Sequence, residues 1–334
     1  MDFDLLNTQI RPLDKEAMDA AKAHWDYTAK PVGSLGELED IVIKLAGIQK
    51  TDRPEISKRA AIVLCADNGV TALMARFIAQ RRSAVCLMAR QANAETIAVD
   101  MGMFQRITDE PRLLDRRVAD GTSDFTKGPA MTREQALQAI EAGIALANEC
   151  KAQGHRILAT GEMGIGNTTT SSAISAVLLG RSPELVTGRG VGLSDEGLRR
   201  KQQVIAKAIE VNAPDPADAL DVLHKLGGFD IAAMCGVFLG GALCGLPVIV
   251  DGFISSASAL TAQRLCPAVK DYMLASHASA EPAASMVSDA LGLTPVIHAG
   301  MRLGEGTGAV ALLPLIDMAL TVYNERFTYG DLGM

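Results

Sequence analysis

Four short apolar runs rich in β-branched residues, each closing on polar or glycine residues, constrain this chain more than any other feature. Ala61-Ile62-Val63-Leu64 leads into Cys65-Ala66-Asp67-Asn68-Gly69, and Thr96-Ile97-Ala98-Val99 ends in Asp100-Met101-Gly102. Ile157-Leu158-Ala159 runs into a glycine loop, and Pro247-Val248-Ile249-Val250 ends in Asp251-Gly252. The segments 72–92, 133–153, 167–179, 196–211 and 255–264 are long enough to be crossover helices. Parallel strands need such crossovers, and strands buried on both faces read as continuous apolar runs. The expected fold is therefore α/β, a parallel Rossmann-like sheet flanked by helices, with ligands at the carboxyl edge of the strands.

A chain of 334 residues has length enough for two domains. Its net charge of -7 argues against a general affinity for nucleic acid or for an anionic membrane surface. The six cysteines show no C-x-x-C spacing and the five histidines are scattered, so neither a zinc site nor a disulfide framework is expected. Reduced thiols and a cytoplasmic location fit that usage. Residues 231–250 carry no charge over about the length that spans a bilayer. Gly236, Gly240, Gly241, Gly245 and Pro247 divide the stretch, which reads as a buried helix followed by a core strand. The first fifty residues are helical in pattern, and between two helices lies Lys30-Pro31-Val32-Gly33-Ser34-Leu35-Gly36. In that turn Lys30 can reach an anion and Ser34 can cap the helix that follows.

The third strand opens into Gly161-Glu162-Met163-Gly164-Ile165-Gly166-Asn167-Thr168-Thr169-Thr170. Strand, glycine loop and helix start in that order make an anion cradle: glycines admit close approach of a ligand, Asn and Thr supply donors and a cap, and helix N-terminal amides attract phosphate or carboxylate. The glycines run G-x-x-G-x-G and no Lys follows them, which disfavours a dinucleotide or triphosphate site. Glu162 is out of place beside an anion and needs a separate role. A second glutamate sits between glycines in Met301-Arg302-Leu303-Gly304-Glu305-Gly306-Thr307-Gly308-Ala309, which opens an apolar helix running to about Tyr323.

Two placed carboxylates and an anion cradle suit displacement at a sugar carbon that carries a phosphate. One glutamate can take a proton from the incoming nucleophile while the other stabilises positive charge on the ring as the leaving group departs. Clustered Asp residues of the kind metal-dependent phosphoryl transfer requires do not accompany the loop.

The segments KPVGSLG (30–36), CADNGV (65–70), GEMGIGNTTT (161–170), KLGGFDIAAMCG (225–236), LPVIVDGFISSASAL (246–260) and MRLGEGTGA (301–309) occur in order along nearly the whole chain. Together they resemble the nicotinate-nucleotide:dimethylbenzimidazole phosphoribosyltransferase family. The resemblance implies transfer of 5-phosphoribose from nicotinate mononucleotide to a base destined to be the lower ligand of a cobamide, with release of nicotinate and inversion from β to α. It implies a small helical domain from residues 1–54 with 309–334, and a parallel α/β domain over 55–308 that carries the nucleotide site. A dimer with sites near the interface is implied, and no metal or redox cofactor.

By the same resemblance Glu305 matches the catalytic base and Glu162 the carboxylate near the ribose and leaving group. Gly164, Gly166, Asn167 and Thr168 match the phosphate-binding turn, and Lys201 matches a lysine near the nucleotide. Gly161, Gly304, Lys30 and Asp67 are grouped with them as substrate-binding positions. One departure lies where substrate choice is made. The family's acidic, glycine-containing loop after CADNGV is missing, since Val70 runs directly into Thr71-Ala72-Leu73-Met74-Ala75-Arg76. Also, Pro282 follows Ser276-His277-Ala278-Ser279-Ala280-Glu281 where a glycine is usual. Two readings follow. The chain is an active transferase with a benzimidazole or phenolic acceptor, working as a homodimer or as a heterodimer with a similar subunit; or it is a weakly active or structural subunit of such a heterodimer, its own base pocket impaired.

Overall fold

The structure is a computed structural model that describes residues 1–68, 74–190 and 192–333. The chain opens with three helices, α1 (Phe3–Gln9), α2 (Lys15–Tyr27) and α3 (Glu37–Gln49), before β1 (Arg59–Ala66). Then come α4 (Met74–Ala79), α5 (Ala84–Gln91), β2 (Ala94–Gly102), β3 (Leu113–Asp115), α6 (Arg133–Ala152) and β4 (Ile157–Met163). They are followed by α7 (Asn167–Leu179), α8 (Pro183–Val186), α9 (Asp195–Asn212), α10 (Ala219–Leu226) and α11 (Phe229–Cys244). The last part contains β5 (Val248–Val250), α12 (Phe253–Leu265), β6 (Met273–Ala275), α13 (Ala284–Leu291) and α14 (Thr307–Glu325).

The strands form one sheet in the order β3-β2-β1-β4-β5-β6, and every neighbouring pair is parallel. That is the doubly wound order, in which the direction of winding reverses between β1 and β4 and leaves a crevice at their carboxyl ends. All eight residues of β1 are buried because helices cover both faces. Ala60, Ile62 and Leu64 join the core built with α6, α10, α11 and α12, while Ala61, Val63 and Cys65 join the core built with α2, α3, α5 and α14. At the carboxyl end of β1 the register against β2 slips between Cys65 and Ala66, a bulge at the rim of the crevice.

Helices from the two chain ends meet. Trp25 on α2 packs edge-on against Tyr323 on α14, ring centroids 5.0 Å apart, and Thr28 and Thr328 form an antiparallel bridge. Residues 231–250 fold as expected into a buried helix, α11, and the core strand β5. α14 is itself long and apolar enough to cross a bilayer, but its Ala309, Val310, Leu312, Leu313 and Ile316 are buried in the protein core.

Two local expectations change. The single crossover helix over 72–92 is two helices, because α4 ends in a Schellman-type stop: Arg82 N–H bonds Phe77 O, Arg81 N–H bonds Ile78 O, and Arg81 is left-handed at φ 60. Gly36, not Ser34, is the N-cap of α3, and no side chain caps it. The shortened segment after Val70 lies outside the described residues up to Met74, where α4 begins.

Candidate active site

The glycine loop leaves β4 at Met163 and enters α7 at Asn167. Its N-cap is Gly166, left-handed at φ 96, with no side-chain cap, so the capping role expected of the Asn and Thr residues is not used. Gly164 and Gly166 are required by close approach. A Cβ on Gly166 would lie 2.7 Å from Asn68 O, and one on Gly164 would collide with the Asp230 carboxylate. The loop from β4 therefore lies directly over the end of β1, at the reversal point of the sheet.

Asn167 turns its amide inward. Its Nδ2 donates to Glu162 and to Asp230 Oδ2, the latter at 3.1 Å, and Asn68 Nδ2 donates to Asp230 at 3.4 Å. One amide thus bridges two buried carboxylates. Burial, helped by the charges of nearby Asp230 and Asp251 and opposed by Asn167 and the Glu305 backbone, pushes the Glu162 carboxyl up to about 8. Burial likewise raises Asp230. A glutamate that keeps its proton near neutral pH in the empty site does not repel an approaching anion.

Glu305 sits on the loop that opens α14. Gly304, Glu305 and Gly306 are left-handed in succession, at φ 82, 61 and 94. For a residue with a Cβ that conformation costs about 1–2 kcal/mol and must be held by its surroundings. Asp251, just past β5, holds it: its carboxylate accepts Gly306 N–H at 3.2 Å and Ala309 N–H at 2.9 Å. Thr307 Oγ1 donates to Gly304 O at 2.8 Å, and the bare Cα of Gly161 lets the Glu305 carbonyl lie against β4. The Glu305 side chain then reaches α5, where Oε2 accepts Val85 N–H at 3.2 Å. Gly304 faces the other glutamate, since a Cβ there would lie 2.5 Å from Glu162 Oε1.

Lys201 comes from α9. Its buried Nζ donates to Thr168 Oγ1 at 2.9 Å and to Gly188 O at 3.2 Å, placing an ammonium beside the N-terminus of α7. Burial lowers its pKa, and the charge of Glu281 partly offsets this.

These parts surround a cavity of about 320 Å³. Glu162, Gly164, Gly166, Asn167, Thr168, Gly304 and Glu305 line it, and Lys201 reaches it through Thr168. Gly161 lies under the Glu305 loop and outside the lining. Two other sequence candidates lie elsewhere. Lys30 pairs with Glu39 at 2.6 Å and covers the Trp25 ring, and the Asp67 carboxylate accepts Phe104 N–H at 2.7 Å under the end of β1. Asp251, His277, Ser279, Glu281 and Arg302 also line the cavity, and Asp230 stands behind it on Asn167. Asp251 stood out in the sequence as the acidic residue closing a strand; His277, Ser279, Glu281, Arg302 and Asp230 fall in segments singled out there but were given no role. Among the described residues no cluster of three or more His, Cys, Asp or Glu is placed to hold a metal ion.

A helix start open to an anion, a buried cation and two unlike glutamates around one cavity suit transfer of a phosphorylated sugar. The family model described as Phosphoribosyltransferase (DBI_PRT) matches residues 10–333. The chain belongs to this family. It is 44% identical over 347 residues, covering 99% of each chain, to a phosphoribosyltransferase of Dehalococcoides mccartyi strain BAV1 named nicotinate-nucleotide--dimethylbenzimidazole phosphoribosyltransferase. It is 46% identical to the phosphoribosyltransferase of the same name from Roseiflexus sp. strain RS-1, covering 98% of this chain and 96% of the other. The crystal structure of CobT from Thermus thermophilus superposes with a TM-score of 0.89 at 37% identity, covering 96% of this chain and 99% of that one. The alignment of 347 residues exceeds this chain's 334, so the Dehalococcoides relative has positions that this phosphoribosyltransferase lacks.

Proposed function

We propose that this chain transfers 5-phosphoribose from nicotinate mononucleotide to an aromatic lower-ligand base, giving an α-riboside phosphate for cobamide synthesis and releasing nicotinate. The names of its relatives support a benzimidazole acceptor over a phenolic one. The observation that carries the reading is the meeting of Glu162 and the Glu305 loop, from two separate glycine segments, at Gly304 in one cavity.

In this reading the α7 N-terminus, Thr168 and Lys201 hold the 5′-phosphate. Glu162 lies at the ribose, where its ionised form stabilises the positive charge that develops as the bond to nicotinate breaks. Glu305, held by Val85 N–H, takes the proton from the ring nitrogen of the incoming base as that nitrogen attacks the anomeric carbon. The protein works in the cytoplasm as a dimer, with itself or with a similar subunit. Both glutamates are present in one cavity, which supports an active chain over a purely structural subunit.

The test is nicotinate release from nicotinate mononucleotide by the purified chain with dimethylbenzimidazole, with phenol and without acceptor. Acceptor-dependent release is expected, faster with the benzimidazole. Release that ignores the acceptor, or no release with any acceptor when the fold is intact, refutes the proposal.

A further inference from the structure

At the opposite edge of the sheet, where β1 and β2 begin, lies a second cavity of about 590 Å³. Lys58 and Arg59 enter β1 beside it, Glu95 lies in β2, His155 precedes β4, and Arg81 and Arg90 belong to the α4–α5 region. The chain as a whole carries a net charge of -7, so this local excess of cations runs against its composition.

Most of that charge is not neutralised from within. Arg59 is paired with Asp317 at 2.8 Å, but its buried Nε has no hydrogen-bond partner. Lys58 Nζ donates to a neutral acceptor, Gln153 O, at 2.6 Å. Arg90 has no ion pair among the described residues, and Arg81 reaches Glu95 only at 4.0 Å. His155 is 1% exposed and its Nδ1 lies 3.0 Å from Cys150 O, which fixes Nδ1 as a donor. Its Nε2 faces Glu95 Oε2 at 3.4 Å without a hydrogen bond, so Glu95 lies between Arg81 and the His155 ring and hydrogen-bonds neither. A second carboxylate or a phosphate would complete the set.

The cavity is also connected to the catalytic one. Cys86 and Arg90 of α5 line it, and Val85, next to Cys86 on the same helix, donates its N–H to Glu305 Oε2. A shift of this eight-residue helix along its axis would alter both places at once.

We propose that this cavity is a second, non-catalytic anion site for a small phosphorylated compound, and that its occupancy acts on the reaction through α5. The binding half stands on the residues above; the coupling half rests on the role proposed for Glu305, and the two fail separately. The experiment is calorimetric titration of the full chain with inorganic phosphate and with pyrophosphate, on wild type, R81A/R90A, R81K/R90K and K201A. We expect two classes of site in wild type. K201A removes one of them. R81A/R90A weakens the other at least tenfold while keeping its basal turnover and melting temperature, and R81K/R90K retains it.

A single class of site abolished by K201A, or a second class unchanged in R81A/R90A, overturns the site. For the coupling, turnover of wild type at saturating nicotinate mononucleotide is measured with and without pyrophosphate. A change in wild type that is absent in R81A/R90A supports it, and identical responses of the two proteins overturn it.

Discussion

Asp251 accepts the backbone N–H of Gly306 at 3.2 Å, and so fastens the end of β5 to the residue that follows Glu305. The same carboxylate accepts Ala309 N–H at 2.9 Å, one turn into α14. Both of its oxygens are used on backbone donors. In D251N one of those donors would face an amide NH₂ instead of an oxygen, leaving a buried N–H unpaired at a cost of about 1–3 kcal/mol. We expect a lower melting temperature together with a fall in turnover, with nicotinate mononucleotide binding less affected than turnover. Equal loss of binding and turnover would mean that Asp251 serves the nucleotide, not the Glu305 loop.

The Glu162 carboxyl, raised from 4.5 to about 8, sets a pH dependence whose sign follows from its direction. Its folded pKa lies above the unfolded one, so the stability tied to its proton is complete below pH 4.5 and is lost as pH rises through about 8. E162Q removes this slope, and denaturant melts across that range measure it. The pyridinium of nicotinate mononucleotide favours the ionised carboxyl, so binding near pH 7 releases a proton in wild type. Calorimetry in buffers of different ionisation enthalpy reads that proton. Equal release by wild type and E162Q would place the proton on another group.

Lys201 is the buried ammonium at the α7 N-terminus. Loss of one charge-assisted hydrogen bond to a phosphate is worth about 1.5–3 kcal/mol, roughly 10- to 100-fold in affinity. K201A is expected to raise the KM for nicotinate mononucleotide by that factor and to leave the KM for the acceptor nearly unchanged. A selective effect on the acceptor would move Lys201 away from the phosphate.

Gly161 has room for no side chain, because the Glu305 carbonyl and Gly306 Cα lie against it. G161A should push the Glu305 loop off β4, costing about 1–3 kcal/mol of stability by overpacking and reducing turnover more than nucleotide binding. Thermal melts and nucleotide titration of the same preparation separate the two effects. Wild-type turnover in G161A would show that the loop is free to move there.

The sheet was legible because β1, β4 and β5, and the second half of β2, are buried and so carry continuous apolar runs. β3 and β6 were not, since Leu113–Asp115 and Met273–Ala275 lack the β-branched residues that marked the equally short β5. The glycine loops announced the two glutamates, and the resemblance to the family gave each a role. Partners distant in sequence stayed hidden: Asp230 is 63 residues from the Asn167 it binds, and Asp251 is 55 from Gly306. The partner of Lys30 was likewise hidden: as a lysine in a turn it suggested a cation within reach of an anion, and Glu39, one turn into the next helix, closes on it at 2.6 Å.

Glu305 is proposed to take the acceptor's proton. General-base catalysis contributes about 10²- to 10⁴-fold, so single-turnover nicotinate release by E305Q with dimethylbenzimidazole measures the claim directly. A drop of that size is expected, with nicotinate mononucleotide bound as tightly as in wild type. Turnover within about twofold of wild type, with the nucleotide bound normally, would contradict it.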